Sequence, residues 1–236
     1  MMECDAAAAN INGYIFDLDG VLTDTMDAHA RAWGVIADEL GVPFGEADLK
    51  SFRGLARAAC LETLFSRMPD PPRHLASQLL DRKADLYRSA TAAMGMGVLF
   101  DGVRELLVAL RQRGVSLAVA SASREAWPLL AQAGIAQLFD VVSDGHFDGR
   151  PKPAPDQVLS ITAALGMSPE RTVVFDDSWL GIEAAQSAGA LAIGVGLAVN
   201  GRAGMDGWVE HLSAHDAASL VAVVEHLARN PRHRVA

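Results

Sequence analysis

The stretch that decides the fold of this chain is Phe16-Asp17-Leu18-Asp19-Gly20-Val21-Leu22-Thr23-Asp24-Thr25. The apolar run before it, at 11–16, predicts a buried strand that ends where the acids begin. Because alternate residues of a strand project to the same side, Asp17 and Asp19 should point together from its carboxyl end. Two carboxylates there suit Mg²⁺, and a carboxylate beside Mg²⁺ and a phosphate can attack phosphorus. A turn with two solvated acids explains these residues as well, so the rest of the chain must decide.

The composition is that of a soluble globular protein. The chain has 236 residues, 50% of them hydrophobic and 21% charged, which is enough for a full core or two unequal domains. Its formal net charge of −9 argues against binding to nucleic acid, which requires a basic face. A small phosphorylated substrate is compatible with that charge, because a few local cations can dominate one pocket.

The N-terminus and the cysteines indicate a cytoplasmic location. Cys4 and Cys60 lie far apart and match no metal-ligand spacing, so we expect free thiols in a reducing compartment. The first 13 residues lack the basic region and apolar core of a signal peptide. No apolar stretch is long enough for a membrane span, and we expect no membrane partner.

After Thr25 the pattern becomes helical. Apolar residues recur at helical spacing over 26–40, and Gly41 ends this predicted helix. Further helices are predicted at 57–67 and 73–89, separated by a proline-rich turn at 69–72. Since no strand is predicted between Thr25 and about residue 93, this part of the chain is an all-helical insert.

From residue 95 onward the chain alternates between strands and helices. Strands are predicted at 115–120, 139–142, 172–175 and 191–195, where the alternation ends, and helices at 103–110, 125–133, 156–165 and 180–188. This alternation predicts an α/β fold with a Rossmann-like parallel sheet and helices on both faces. We expect residues 1–25 and 95–236 to form the α/β catalytic core, and residues 26–94 a small helical cap domain inserted after the first strand.

Two further strand ends carry polar residues. Ser121, Ala122, Ser123 and Arg124 follow a predicted strand at a helix start, where hydroxyl and free N–H groups can cradle a phosphate. An ordinary serine N-cap explains the same residues.

A second acidic pair follows another strand. Asp176 and Asp177 stand at that strand end; one of them could cap the next helix, but both together are better explained by a shared cation.

Lys152 lies in a proline-flanked segment that could aim its ammonium at a phosphate, although a solvated lysine in a turn is the simpler alternative.

The order of these motifs resembles the haloacid dehalogenase superfamily over nearly the whole chain. Within it, the stretches FDLDGVLTDT, HARAW, ASASR, KPAPD and DDS-x₂-GIEAA-x₃-GALAIGVG are similar to the β-phosphoglucomutase group. The resemblance implies that Asp17 is the nucleophile and Asp19 the general acid and base. It also implies that Mg²⁺ is bound by Asp17, the main-chain carbonyl of Asp19, Asp176 and Asp177. Ser121, the Ala122 backbone and Lys152 would hold the transferring phosphate.

The same resemblance assigns residues of the cap. Arg57 matches the arginine that binds the distal phosphate in β-phosphoglucomutases, and Gly54, His29 and Lys83 match further cap positions. Solvated surface residues are the alternative for the three cap side chains. Ser123 and Arg124 complete the substrate site implied by the resemblance.

Two residues depart from the mutase pattern. Asp176 stands where the mutases usually carry Glu, and Arg124-Glu125 stands where they usually carry Lys-Asn. Arg124 can still bind a phosphate through two N–H groups, whereas Glu125 would repel one if it faced the pocket.

The sequence therefore predicts a Mg²⁺-dependent phosphotransferase acting on a small phosphorylated sugar. The expected reaction interconverts β-glucose 1-phosphate and glucose 6-phosphate, and a sugar-phosphate phosphatase is the alternative. A binding protein that kept the fold without catalysis is disfavoured, because the set of candidate catalytic residues is intact. We expect a monomer.

Overall fold

The computed structural model describes residues 10–196 and 205–230. Cys4 and residues 1–9 of the N-terminal segment lie outside them. The strands of this part of the chain are β1 (Gly13–Phe16), β2 (Ser116–Ala120), β3 (Val141–Ser143), β4 (Thr172–Asp176), β5 (Leu191–Val195) and β6 (Gly207–Val209). They form one parallel sheet in the order β3-β2-β1-β4-β5-β6. β1 is flanked by β2 and β4, so strand order reverses there, which is where open parallel sheets bind ligands.

Helices alternate with these strands, as the pattern predicts. Over the described ranges they are α1 (Met26–Leu40), α2 (Glu46–Phe52), α3 (Arg57–Phe65), α4 (Ala76–Ala92), α5 (Val103–Gln112), α6 (Ala126–Gln132), α7 (Asp156–Ala164), α8 (Trp179–Ala188) and α9 (Ala217–Arg229). The first four follow β1 directly, which confirms the helical insert after the first strand.

Three elements were not predicted. The alternation of strands and helices continues past β5, because β6 pairs with β5 in parallel, with Ile193 opposite Gly207. β6 has only three residues, too few to show a strand pattern, whereas α9 is a regular amphipathic helix whose apolar spacing is visible in the sequence. α2 is a seven-residue helix in which the Asp48 carboxylate accepts a hydrogen bond from the N–H of Gly45 at 2.8 Å.

The two faces of the sheet carry separate apolar clusters. Tyr14 and Phe16 of β1 pack on one face, where the rings of Phe16 and Phe175 stack with their centroids 5.0 Å apart. Ile15, between them in sequence, packs on the opposite face with Val174. This alternation is the strand periodicity expected for a sheet covered on both sides.

The helical insert has an apolar cluster of its own, which includes Trp33 and Phe65. The chain leaves and re-enters the α/β part through two paired segments. The N–H of Asp24 donates to the carbonyl of Val98 at 2.9 Å, and the N–H of Phe100 donates to the carbonyl of Leu22 at 3.2 Å. Both connections therefore lie next to each other, just past the carboxyl end of β1.

The stacked rings of Phe16 and Phe175 provide a test of this core. Phe175→Ala should lower the free energy of unfolding by about 3–5 kcal/mol, because it removes a fully buried ring. Val108→Ala, on the exposed side of α5, should change it by about 0.5 kcal/mol or less. Urea unfolding with unchanged m-values measures both, and equal shifts for the two variants would contradict this packing.

Candidate active site

The predicted site residues converge on one cleft between the carboxyl ends of the central strands and the helical insert. The cleft is open to solvent. The predicted residues that line it are Asp17, Asp19, His29, Gly54, Arg57, Lys83, Ser121, Ala122, Ser123, Arg124 and Asp177. Lys152 and Asp176 are buried beside Asp17 rather than in the wall of the cleft.

Lys152 joins two acidic strand ends. Its Nζ donates to Asp17 Oδ1 at 2.6 Å, to Asp176 Oδ2 at 2.7 Å and to the carbonyl of Ala120 at 3.2 Å, so all three of its protons have acceptors. The side chain is 4% exposed. Burial alone would lower the pKa of Lys152, but the charges of Asp17 and Asp176 outweigh it and raise this pKa above the usual range. The lysine is therefore a buried ammonium rather than a solvated turn residue.

Asp17 lies at the end of β1 with its carboxylate at the cleft. Burial raises the pKa of Asp17 above its usual range, and the charges of Asp176 and Asp177 raise it further, while Lys152 opposes them. A carboxylate in this setting is desolvated and repelled by its neighbours, so it gains from any added positive charge.

The second acidic pair is held by different partners. Asp176 Oδ1 accepts hydrogen bonds from the N–H of Ser178 at 2.9 Å and from its hydroxyl at 2.7 Å. Asp177 Oδ2 accepts a hydrogen bond from Arg53 Nη1. Burial, followed by repulsion from Asp176, raises the pKa of Asp177 to about 7. A side chain at Gly181 would overlap the Asp176 carboxylate, so this helix position must be glycine for the carboxylate to fit.

Asp19 has a separate network. Its Oδ1 accepts hydrogen bonds from Thr25 Oγ1 at 2.5 Å and Tyr87 Oη at 2.7 Å, and lies 3.2 Å from His29 Nε2. Burial would raise the pKa of Asp19, but His29 and these hydroxyl groups outweigh it and hold this pKa well below its usual range. Asp19 is thus ionised in this arrangement.

His29 connects Asp19 to Lys83. Lys83 Nζ lies 2.8 Å from His29 Nδ1, and an ammonium can only donate, so Nδ1 accepts and Nε2 carries the proton that faces Asp19. Burial, together with the charge of Lys83, lowers the pKa of His29. Burial also lowers the pKa of Lys83 to about 8. Both side chains are therefore enclosed, not solvated surface residues.

The loop after β2 presents polar groups to the cleft. The N–H of Ser123 donates to Ser121 Oγ at 3.0 Å, and the N–H of Ser121 donates to the carbonyl of Ser143 at 2.9 Å. Gln157 supports the loop from behind, since its Nε2 donates to the carbonyl of Ser121 at 3.1 Å.

The cap side of the cleft is cationic. Burial lowers the pKa of Arg57, and the nearby charge of Arg124 lowers it further. Arg124 Nε donates to the carbonyl of Gly145 at 3.2 Å, which fixes its stem on the core. Two guanidinium groups from different parts of the fold thus share this end of the cleft.

The cap loop approaches the core closely at Gly54. Its φ is +72°, and a Cβ there would overlap the hydroxyl of Ser178. Gly54 therefore has a steric reason to be glycine, and it brings the neighbouring Arg53 to Asp177.

Sequence reasoning missed Arg53, Tyr87 and Thr25. Each had a signal in the sequence. Arg53 directly precedes Gly54, Tyr87 lies one helical turn beyond Lys83, and Thr25 ends the acidic motif. The sequence pattern could not show that the fold brings the polar atoms of these three residues to Asp19 and Asp177.

The acidic residues in and directly behind the wall of the cleft have the donor chemistry of a site for a hard divalent cation. Asp17, Asp176 and Asp177 are buried carboxylates, and their mutual repulsion would be relieved by such an ion. In this structure Asp17 and Asp176 accept hydrogen bonds from Lys152, and Asp177 accepts one from Arg53. Within residues 10–196 and 205–230, no three His, Cys, Asp or Glu side chains form a metal-binding group. The residues fit a metal in donor type and charge, and Asp177 would have to exchange Arg53 for it.

A family model for haloacid dehalogenase-like hydrolases matches residues 11–189. This chain belongs to that family. The match covers the strand with Asp17, the helical insert, and the strand ends with Ser121, Lys152 and the second acidic pair.

Individual relatives agree with this assignment. The chain is 32% identical to a β-phosphoglucomutase of Bacillus subtilis over 77% of this chain and 82% of that protein. It is 31% identical to a validoxylamine A 7'-phosphate phosphatase of Streptomyces hygroscopicus over 77% of this chain and 84% of that one. The fold matches a crystal structure of β-phosphoglucomutase from Clostridium difficile with a TM-score of 0.84, 24% identity, and 93% and 97% of the two chains covered.

Cys60 is a free, buried thiol in the wall of the cleft, and burial raises the pKa of this thiol to about 12.

None of the helices over the described ranges has the length and apolarity needed to cross a membrane.

The buried ammonium gives a stability prediction. Lys152→Met should lower the free energy of unfolding by about 3–5 kcal/mol, because it leaves Asp17 and Asp176 buried without a counter-charge. Lys50→Met is the matched control, since Lys50 pairs with Glu46 on the surface and its loss should change stability by less than about 1 kcal/mol. Urea unfolding at pH 7 measures both. If Lys152→Met were as stable as the control, the carboxylates would not depend on this lysine.

Proposed function

We propose that this chain is a Mg²⁺-dependent phosphotransferase that forms an aspartyl phosphate on Asp17. The proposed reaction interconverts β-glucose 1-phosphate and glucose 6-phosphate. The observation that carries the proposal is that the two acids of the first strand end have different partners. Asp17 is bound to the buried Lys152, whereas Asp19 accepts hydrogen bonds from groups of the helical insert. A nucleophile and a proton carrier need this kind of separation.

The first half-reaction follows from these positions. The substrate phosphate would bind Lys152, the Ser121 hydroxyl and the Ala122 N–H, with phosphorus facing Asp17. The Asp17 carboxylate forms a bond to phosphorus as the bond to the sugar oxygen breaks, and Asp19 gives that oxygen the proton that it took from the attacking hydroxyl in the preceding half-reaction. In the second half-reaction the oxygen of the attacking hydroxyl bonds to phosphorus as the bond from phosphorus to Asp17 breaks, and Asp19 takes the proton of that hydroxyl.

We propose that Asp17, the main-chain carbonyl of Asp19, Asp176 and Asp177 hold Mg²⁺. When bound, the ion would offset the negative charge that gathers between the carboxylates and the phosphate. The donor chemistry and the raised pKa values of Asp17 and Asp177 support this assignment.

A mutase needs a second anion site for the distal phosphate of a bisphosphate. Arg57 and Arg124 supply two guanidinium groups to the cleft, and His29, Lys83, Gly54 and Ser123 line the same cleft. The β-phosphoglucomutase of Bacillus subtilis is among the relatives, which supports a sugar phosphate as substrate.

A sugar-phosphate phosphatase on the same scaffold is the second candidate. The observation that favours it is Glu125, which lies near Arg57 and reduces the positive charge offered to a distal phosphate. The Streptomyces hygroscopicus relative is a phosphatase for a phosphorylated compound, which is consistent with this alternative.

We also propose a division into an α/β core of residues 1–25 and 95–236 and a cap of residues 26–94. The separate apolar cluster of the helical insert and its two adjacent connections support these bounds. A monomer in the cytoplasm remains our expectation.

The function is tested by supplying β-glucose 1-phosphate, Mg²⁺ and a trace of the 1,6-bisphosphate. Glucose 6-phosphate should form, EDTA should stop its formation, and Mg²⁺ should restore it. Release of free phosphate without glucose 6-phosphate would contradict the mutase and support the phosphatase. No reaction with any sugar phosphate, with Mg²⁺ present, would contradict both.

The role of Asp19 is tested separately. Asp19→Asn should lower kcat by about 10²–10⁴-fold, because the amide can neither give nor take the proton. Asp27→Asn, an exposed acid on α1, should leave kcat unchanged. Steady-state rates and near-ultraviolet circular dichroism measure activity and folding. A folded Asp19→Asn enzyme with near-normal kcat would contradict the proposed role.

A further inference from the structure

Gln157, in the first turn of α7, is a buried glutamine that contacts the ends of β2 and β3. The residue is 5% exposed. Its Nε2 donates to the carbonyl of Ser121 at 3.1 Å, and it lies 3.2 Å from the carbonyl oxygen and 3.1 Å from Oγ of Ser143. Two of these atoms are carbonyl oxygens, which can only accept, so the amide must turn its nitrogen toward them. In the part of the chain that the structure describes, no other group donates to the carbonyl of Ser121.

This contact sets the direction of the peptide group between Ser121 and Ala122. The peptide is trans and planar, so its C=O and its N–H point in opposite directions. The carbonyl of Ser121 is directed toward Ser143, the last residue of β3, and the N–H of Ala122 therefore points away from β3. β2 lies between β3 and β1 in the sheet, and Asp17 directly follows β1. The N–H of Ala122 thus faces the side on which Asp17 lies.

The preceding peptide group, between Ala120 and Ser121, shows the same alternation. The carbonyl of Ala120 accepts a hydrogen bond from Lys152 Nζ at 3.2 Å, on the side of β1. The N–H of Ser121 donates to the carbonyl of Ser143 at 2.9 Å, on the side of β3. Lys152 and Gln157 therefore hold two consecutive carbonyls at the end of β2, one from each side.

The loop that follows β2 presents two donors to the cleft. No protein group within residues 10–196 and 205–230 accepts a hydrogen bond from the N–H of Ala122. Ser121 Oγ accepts a hydrogen bond from the N–H of Ser123 at 3.0 Å, which leaves the hydroxyl proton for another acceptor. Ser121 and Ala122 line the cleft, whereas Gln157 is buried behind them, so Gln157 can affect a ligand only through the loop.

We propose that Gln157 is a positioning residue that aims the N–H of Ala122 at the transferring phosphate. This inference rests on the proposed function, in which that phosphate binds Ser121, Ala122 and Lys152. Without a donor at position 157, the carbonyl of Ser121 loses its partner and the peptide group can turn. Because the N–H of Ala122 turns with it, a bound phosphate loses one hydrogen bond, while Lys152 keeps its place between the carboxylates.

Binding of inorganic phosphate in the presence of Mg²⁺, measured by calorimetric titration, tests the role of Gln157 without turnover. Gln157→Met has a side chain of similar length and no donor. It should raise the Kd for phosphate about tenfold, which is the low end of what a hydrogen bond to a charged group contributes. The KM for β-glucose 1-phosphate should rise in parallel and kcat should change less, because the same N–H holds the phosphate before and during transfer.

Thr162→Val is the matched control. Thr162 is a buried polar residue of the same helix, and its hydroxyl donates to the carbonyl of Leu159 within that helix. This variant should leave the Kd for phosphate unchanged. Gln157→Glu keeps the shape of the side chain but turns oxygens toward the two carbonyls, so it should bind phosphate no better than Gln157→Met. Urea midpoints establish that the variants are folded.

A measurement on the wild type needs no substitution. In NMR spectra of the amide groups, the proton of Ala122 should move to lower field when inorganic phosphate is added, because its N–H then donates to an anion. The N–H of Ser116 donates to the carbonyl of Asn12 at the opposite end of β2 and should not move. In Gln157→Met the movement at Ala122 should be lost.

The outcomes separate this inference from the proposed function. A wild type that turns over sugar phosphate, but shows no movement at Ala122, would overturn the role of Gln157 alone. The same holds if Gln157→Met binds phosphate as tightly as Thr162→Val, or if Gln157→Glu binds it as tightly as the wild type. A wild type that neither binds phosphate nor turns over any sugar phosphate would overturn the proposed function and, with it, this role.

Discussion

The site depends on the buried ammonium of Lys152 between Asp17 and Asp176. Two carboxylates at neighbouring strand ends repel each other in a desolvated place, and this lysine is the positive charge that touches both. It donates its third proton to the carbonyl of Ala120, so it also ties β2 to the ends of β1 and β4. One side chain therefore fixes the three strand ends around which the cleft is built.

The charge around this lysine explains why two similar acids can differ in chemistry. Asp17 is desolvated and repelled by two acids, which raises its pKa and makes it responsive to added positive charge. Asp19 accepts hydrogen bonds from the insert, and its pKa is held low. Because two partners of Asp19, His29 of α1 and Tyr87 of α4, belong to the helical insert, the environment of the proposed proton carrier depends on the insert being in place. The insert is thus part of the catalytic proposal and not only a cover for the cleft.

Much of this arrangement could be predicted from the sequence, because strand ends of a parallel sheet meet at one rim. The motif with Asp17 and Asp19, the serine loop at Ser121 and the pair at Asp176 each follow a strand in the sequence pattern, and the structure brings them together. The contacts of the insert could not be predicted, since Arg53 to Asp177 and Arg88 to Glu125 join residues far apart in sequence. The short strand β6 was missed because three residues carry no periodicity, whereas α9 had a visible pattern. Local spacing thus predicts the rim of the sheet, and tertiary packing decides which charges meet across it.

The central claim is that phosphate is carried on Asp17. Acid quenching during turnover, followed by borohydride reduction and peptide mass spectrometry, tests it most directly, because reduction converts an acyl phosphate of aspartate to homoserine. The account predicts homoserine at position 17, only when sugar phosphate and Mg²⁺ are present, with Asp19 and Asp177 unmodified. Turnover without modification at position 17, or with modification at another acid, would contradict it.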